Sequence, residues 1–503
     1  MEQDTKPSVE MVEREKRDIS LAVNEHDDSS LTLLQSLKQN YKSVIFSILM
    51  ATGPMAFGFD IIIVGVVTAF PAFLERFGEL RDGMPILPSI WLSLWNASMQ
   101  IGFMIGSVIV GWVADRFGRK ISMMSGSIIT MAGIAVVYTC DLSDSMGHRR
   151  GTFLAGKVII GMGLSMMATT WMTYNSEIVL VKLRGFSLSL FQFQLVFGQL
   201  IAAVVAVGTR WDGLHLDPYC PRVPGMASPK ERRGWCSQVF WLLYKPSQVE
   251  AAMVSLQSTL EHEKQEQVDA ADVTWSECFK GPNFRRMRII IFASIVQQFH
   301  GTTFVANGTY FMIIAGLSPE KSIIVLEIAS GLSLAAIMIS WFLVDYLGRR
   351  RTIMGCTALL AATWLSVGIA GFFSTQAALW YMGVMINLVM VFFNIASGPV
   401  NPIIASETSS VRLRAKANAV GFICNSFMSW VFNFCVPYIF NSDEGNLGGK
   451  TGLIFAALSV IAWIIFWFDL PEMKNRTYLE LDEMFENKVK TRQFRKYKCQ
   501  GLI

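Results

Sequence analysis

The sequence predicts an all-α membrane protein made of two homologous helix bundles, and three observations carry that expectation. Hydrophobic residues make up 52% of the 503 and charged residues only 16%, where a soluble domain carries about a quarter charged. The apolar residues fall in runs of about 20, the length at which an α-helix crosses roughly 30 Å of hydrocarbon. A charged turn between two such runs recurs 230 residues later, because Asp115-Arg116-Phe117-Gly118-Arg119 returns as Asp345-Tyr346-Leu347-Gly348-Arg349 (345 − 115 = 230).

Taken in chain order, residues 1–43 are polar and lack the charged, apolar and cleavage-site succession of a secretory signal, so they read as a cytoplasmic tail. Apolar helical spans follow near 44–67, 91–113, 121–139, 153–173 and 186–208, which sets the first bundle at 44–208. They resume near 288–306, 322–344, 353–373, 378–405, 417–440 and 451–470, a second bundle at 288–470 ahead of a cytoplasmic tail at 471–503. That is eleven spans where two six-helix bundles need twelve.

The shortfall lies in residues 209–287, an anomalous segment running into a central cytoplasmic loop. Pro218, Pro221, Pro224 and Pro229 with Lys230, Arg232 and Arg233 exclude a spanning helix there. The run Trp235 to Leu243 reaches only about 14 Å as a helix. The sixth helix therefore reads as degraded or missing. With five spans ahead of it, Arg349 to Arg351 would fall on the opposite side from Arg116 to Lys120, against the positive-inside rule.

The duplication extends beyond one turn. The same offset maps Ser176-Glu177 onto Ser406-Glu407 and Arg184 onto Arg414, six identical residues in all. Each group stands where a helix leaves the membrane, so a carboxylate can pair with a guanidinium across neighbouring helix ends and latch one conformation. The latch set is Asp115, Arg119, Glu177, Arg184, Asp345, Arg349, Glu407 and Arg414. The plainer alternative is that the arginines only enforce topology.

Other classes of function find little support. A net charge of +4 gives no reason to propose nucleic acid. The eight cysteines contain no CxxC pair for zinc or redox chemistry. The run Gly445 to Thr451 mimics a phosphate loop but has the wrong glycine spacing and no strand before it. No nucleophile and base stand in a catalytic pattern, and no cofactor or metal is called for.

The two Asp-x-x-Gly-Arg turns, Gln297-Gln298-x-x-Gly301 before Thr309-Tyr310-Phe311, Gly398-Pro399 before Ser406-Glu407, and Pro471-Glu472 with Leu481-Asp482-Glu483 make a specific set. In these the chain resembles the sugar porter family of the major facilitator superfamily, and within it the fungal α-glucoside (maltose-type) permeases. The resemblance implies the major facilitator fold, two six-helix bundles related by the internal repeat. It also implies a multi-pass carrier of a small sugar, α-glucoside or hexose, that works as a monomer in the plasma membrane and takes up a proton with its cargo.

It implies site residues too. Gln192, Gln297 and Gln298 match positions that contact sugar, and their amides both donate and accept, as hydroxyls require. A buried glutamine also serves as interhelical glue, so both duties stand open. Thr303 stands where relatives carry asparagine, and Pro402 where they carry an aromatic residue. Asp60, an acid within an apolar helix, is the candidate proton carrier, with Lys157 as its movable cation; a static salt bridge in a facilitative carrier is the alternative. His300 faces the same way as Gln297 and suits either proton exchange or an interhelical hydrogen bond.

Overall fold

The computed structural model describes residues 50–68, 71–81, 84–142, 145–178, 184–208, 275–314, 318–373, 375–410, 413–441 and 444–474, most of 476–497, and Ile45, Ser47 and Ile48. Hydrocarbon offers no hydrogen bonds to the backbone, so apolar runs of this length satisfy their own amides as helices. The first half holds α1 (Thr52–Val67), a short α2 (Pro71–Phe77), α3 (Ser89–Phe117), α4 (Arg119–Tyr138), α5 (Met146–Ile178) and α6 (Arg184–Gly208). A two-stranded antiparallel ribbon, β1 (Glu79–Arg81) and β2 (Met84–Ile86), lies between α2 and α3.

The second half holds α7 (Pro282–Phe299), α8 (Thr302–Ala306), α9 (Gly308–Ile314), α10 (Pro319–Leu347), α11 (Arg349–Ala370), α12 (Gln376–Ile395), α13 (Ser397–Thr408), α14 (Arg414–Phe440), α15 (Thr451–Asp469) and α16 (Tyr478–Glu486). Among the described residues, ten helical segments are long and apolar enough to cross a membrane. Helix α1 is an eleventh apolar segment; its 16 residues reach only about 24 Å, and Ile45, Ser47 and Ile48 ahead of it are also helical.

The repeat governs the whole architecture, not only the charged turns. Helix starts coincide at the same offset for α1 and α7 (282 − 52 = 230), α3 and α10 (319 − 89), α4 and α11 (349 − 119), α5 and α12 (376 − 146), and α6 and α14 (414 − 184). Helix α15 maps back onto 221–239 (451 − 230 and 469 − 230), the proline- and arginine-bearing stretch in which no apolar run exists.

One difference between the copies has a clear cause. Helix α5 runs unbroken from Met146 to Ile178, while its counterpart breaks at Ala396 (φ −128°, ψ −68°) into α12 and α13. Pro399 supplies no N–H and its ring collides with the carbonyl four residues earlier, so α12 stops at Ile395. Helix α7 breaks similarly at His300-Gly301, where Gly301 takes φ +79°, a conformation a side chain resists.

The ends of the helices correct the topology expected from five spans. Asn441, just past α14, donates to Ser89 at the start of α3 at 3.0 Å, so those two termini share one end of the molecule. The end of α3, with Arg116 to Lys120, then lies at the end where α14 begins. Leu413 and Ala417 there pack on Cys278 and Met287, and Arg349 pairs with Glu407. Both arginine turns therefore face one side, the cytoplasmic side by the positive-inside rule. Helix α6 ends at the opposite side and α7 begins at the cytoplasmic side. The tail at 1–43 and residues 209–274 lie outside the described residues.

The bundle is drawn tight by glycines. A Cβ on Gly58 would stand 1.8 Å from the carbonyl oxygen of Leu195, and one on Gly198 2.0 Å from that of Met55, so α1 and α6 touch backbone to backbone. Gly102, Gly106 and Gly161 bring α3 and α5 equally close. We expect Gly58→Ala to cost about 1 to 3 kcal/mol by overpacking, seen as a lower thermal midpoint in detergent, while Gly111→Ala, which faces open space, leaves the midpoint unchanged.

Candidate functional site

The glycine contacts decide where one pair of charges meets. Gly156 packs on Val137 of α4 and Gly161 on Met99 of α3, so α5 sits deep in its bundle and the Lys157 side chain projects toward α1. There its Nζ donates to Asp60 Oδ2 at 2.6 Å. The lysine side chain is 3% exposed and the carboxylate 13%, so the pair is largely sheltered from water. A carboxylate and an ammonium held this way offset each other's desolvation, and each becomes costly if the other is neutralised.

The amides gather at the seam between the halves. Gln192 of α6 donates through Nε2 to Asn394 Oδ1 of α12 at 2.9 Å. It lies over Gly398, where a Cβ would come within 2.9 Å of its side-chain carbon. In the broken α7 segment, Gln298 Oε1 accepts from Thr303 at 2.9 Å and from Thr302 at 3.2 Å, and Thr302 also bonds the carbonyl of Gln297. Gln297 itself is half-buried. Asn307 donates to the Thr303 carbonyl at 3.1 Å and accepts from Asn96 of α3 at 3.1 Å, which carries the network into the first half.

Asn96, Asn307 and Asn394 thus join the site, though none of them stands among the candidates read from the sequence. Each is an amide inside an apolar run, and that cost was the signal available. His300 is fully buried, its Nδ1 2.9 Å from Ser397 Oγ and its carbonyl accepting from Trp364 Nε1 at 2.9 Å. That is an interhelical hydrogen bond. Glu327 is half-buried on α10, with no ion pair among the described residues.

At the cytoplasmic end Arg349 donates to Glu407 Oε1 at 2.8 Å, and its backbone N–H bonds Glu472 Oε1 at 3.1 Å. Gly348 (φ +90°) makes the turn with Glu472 pressed against it, where a Cβ would stand 2.7 Å from a carboxylate oxygen. Arg119 donates to the Ala114 carbonyl at 3.1 Å. Asp345 is exposed and has no ion pair among the described residues. The side chains of Asp115, Glu177, Arg184 and Arg414 lie outside the described residues.

Burial pushes the Glu407 carboxyl above its ordinary range, outweighing the pull of Arg349 in the other direction. Folding therefore favours the protonated acid, and this group's contribution to stability declines as the pH rises from the ordinary carboxyl value to the raised one. Under mild acid the ion pair with Arg349 weakens before an exposed carboxylate would titrate.

Comparison with known proteins identifies the family and the fold. A family model described as "Sugar (and other) transporter" matches residues 46–212 and 235–485, leaving out only 213–234 between them. The chain is similar to the MFS transporter fmqE of Aspergillus fumigatus, 27% identical over 549 aligned positions that take in 99% of this chain and 98% of the relative. That alignment is 46 positions longer than the chain (549 − 503), so the relative carries residues absent here. It is also similar to the general alpha-glucoside permease of Saccharomyces cerevisiae, 25% identical over 93% of this chain and 79% of the permease. The maltose permease MAL31 of the same yeast is 25% identical over 94% and 80%. Among solved structures, the inward open xylose transporter XylE of E. coli superposes with a TM-score of 0.67 at 20% identity, covering 88% of this chain and 99% of that one. This likeness establishes the fold.

The central ion pair makes its own prediction. Lys157→Met strands the Asp60 carboxylate and should cost about 3 to 5 kcal/mol, whereas adding Asp60→Asn should recover most of that loss. Thermal unfolding of the single and double variants in detergent checks it; equal midpoints for both would show that the pair is uncoupled.

Proposed function

The chain belongs to the sugar transporter family, and from that premise we propose that it carries an α-glucoside or hexose into the cell together with a proton. It is a multi-pass membrane protein of the major facilitator fold. Residues 44–208 and 288–470 are its two bundles, 209–287 joins them, and 1–43 and 471–503 are cytoplasmic tails. It acts as a monomer in the plasma membrane.

The observation that carries the proton reading is the sheltered Asp60–Lys157 pair. Protonating Asp60 releases Lys157, and restoring the bond expels the proton; a charge change at this depth is the kind of event that shifts a two-state equilibrium. Sugar binding falls to Gln192, Gln297, Gln298 and Thr303 at the seam. In the bond pattern described above Gln192 and Gln298 are held by Asn394 and by Thr302 and Thr303, partners that sugar hydroxyls can replace like for like.

Alternating access follows from where the halves meet. Contacts that tie them at the outer end include Asn441 with Ser89, Asn96 with Asn307, the backbone of Gly65 beneath Ala306, and Ala206 of α6 in one apolar cluster with Ile323 and Leu326 of α10. In the cycle we propose, those contacts open as the cytoplasmic latch pairs between neighbouring helix ends change. Each half carries its own set, Asp115, Arg119, Glu177 and Arg184 in one and Asp345, Arg349, Glu407 and Arg414 in the other, where Arg349 bonds Glu407.

A second reading has its own observation. The counterpart of α15 at 221–239 offers no apolar run where the repeat calls for a sixth helix, which favours an inactive permease lacking that helix. Uptake of labelled maltose or glucose by cells expressing the chain separates the readings. A facilitative carrier would take up sugar without dependence on external acid, and a sensor would bind without uptake.

Two outcomes are expected of variants. Asp60→Asn should abolish accumulation against a gradient while leaving sugar exchange partly intact; uphill uptake equal to wild type would remove Asp60 from the coupling. Gln298→Ala and Gln192→Ala should each raise half-saturation about ten-fold, the loss of one or two hydrogen bonds to hydroxyls. Unchanged half-saturation in both would assign these amides to helix packing.

A further inference from the structure

Asn401 of α13 is only 3% exposed, and neither its Nδ2 nor its Oδ1 has a hydrogen-bond partner among the described residues. A buried amide with every hydrogen bond unmet is among the costlier things a helix can carry, and natural proteins rarely leave one without a use. Its position on the helix indicates the use. An α-helix turns about 100° per residue, so Asn401 lies about 40° around α13 from Ser397 and about 60° from Gly398, one turn further toward the cytoplasmic end. Ser397 meets His300 of the broken α7 segment, and Gly398 meets Gln192 across the seam.

Asn401 therefore falls between the face that touches α7 and the face that touches α6. Val400 and Ile404 lie on the far side of Ser397, in the apolar core with Ile289, Ala293 and Val296. Pro402 adds to the polarity of the same turn, since it has no N–H to give to the Gly398 carbonyl four residues earlier. A free amide, a carbonyl lacking its helical donor and Gln192 thus converge on one short stretch of seam.

We propose that Asn401 is a substrate-contacting residue, its amide accepting from one sugar hydroxyl and donating to the next. This rests on the sugar-transport reading and adds a contact that the glutamines do not supply. The chemistry fits: a sugar presents adjacent hydroxyls that each donate and accept, and an asparagine side chain offers one group of each kind on a short, stiff stem.

The test uses the full chain in membranes. Asn401→Leu should hold or raise the thermal midpoint, because a similar volume replaces an unmet amide, and should raise half-saturation for maltose or glucose uptake about ten-fold. Asn401→Thr, which keeps a donor and an acceptor, should recover part of the affinity. A lower midpoint with half-saturation unchanged would overturn the proposal and assign the amide to a buried water beside the unpartnered Nε2 of His300. If the unaltered chain takes up neither sugar, the transport reading fails by itself, and the place of Asn401 is read separately. Asn401→Cys should then react with a small water-soluble thiol reagent beyond the level of the parent chain; no added reaction would overturn the placement.

Discussion

The Asp60–Lys157 bond depends on helices approaching one another more closely than side chains normally permit, and the centre of the molecule is organised around meeting that condition. An unpaired charge at this depth is costly, so the two groups must be held at bonding distance by backbone that does not yield. Glycines do this. Gly58 and Gly198 join α1 to α6, and Gly102, Gly106 and Gly161 join α3 to α5, which leaves Lys157 facing α1 rather than lipid. Dispersion between touching backbones, rather than exclusion of water, is the attraction available in a bilayer, and small residues maximise it.

The two copies of the repeat share their helix starts but not their chemistry. The first half is built of unbroken helices around an ion pair. In the second, Pro399 and Gly301 interrupt α12–α13 and α7–α8, and the polar side chains cluster at those interruptions: Gln298, His300 and Thr303 beside one, Asn394, Ser397 and Asn401 beside the other. Broken helices are tolerated at membrane depth where they line a cavity or pack within protein. In the function proposed here the first half carries the proton-coupling pair and one sugar-binding amide, Gln192, while the jointed second half carries Gln297, Gln298 and Thr303.

Contacts across the seam follow the same economy. At the outer end they include hydrogen bonds between neutral side chains, Asn441 with Ser89 and Asn96 with Asn307, the approach of Gly65 to the Ala306 carbonyl, and the packing of Ala202 and Ala206 with Ile323 and Leu326. Neutral bonds of this kind contribute modestly each and can be exchanged for water when the halves part. At the cytoplasmic end the charge pairs lie within the second half, with Arg349 between Glu407 and Glu472 and Arg286 paired with Asp482 of the C-terminal helix, while across the seam Phe186 of α6 packs edge-on against Trp341 of α10. Burial of Glu407 links that end to pH without involving the central pair.

Much of this was legible in the sequence. Apolar length gave eleven spans, since a helix that must cross hydrocarbon leaves no other solution, and six repeated residues at one offset implied two like bundles. The types of residue needed for the site could be named as well: an acid and a lysine in apolar runs, and glutamines able to meet hydroxyls. Which of them meet was not legible. Gln192 bonding Asn394 across 202 positions, His300 bonding Ser397 rather than an acid, and Asn96 reaching Asn307 all depend on how the halves face each other. The shared side of the two arginine turns was likewise misread from span counting, because sidedness is a property of the packed helix ends. Composition and spacing fix what each helix is made of and how long it is. The rotation of each helix about its axis, and hence its partners, is set only when glycine-scale fit and hydrogen bonding are satisfied by every neighbour at once.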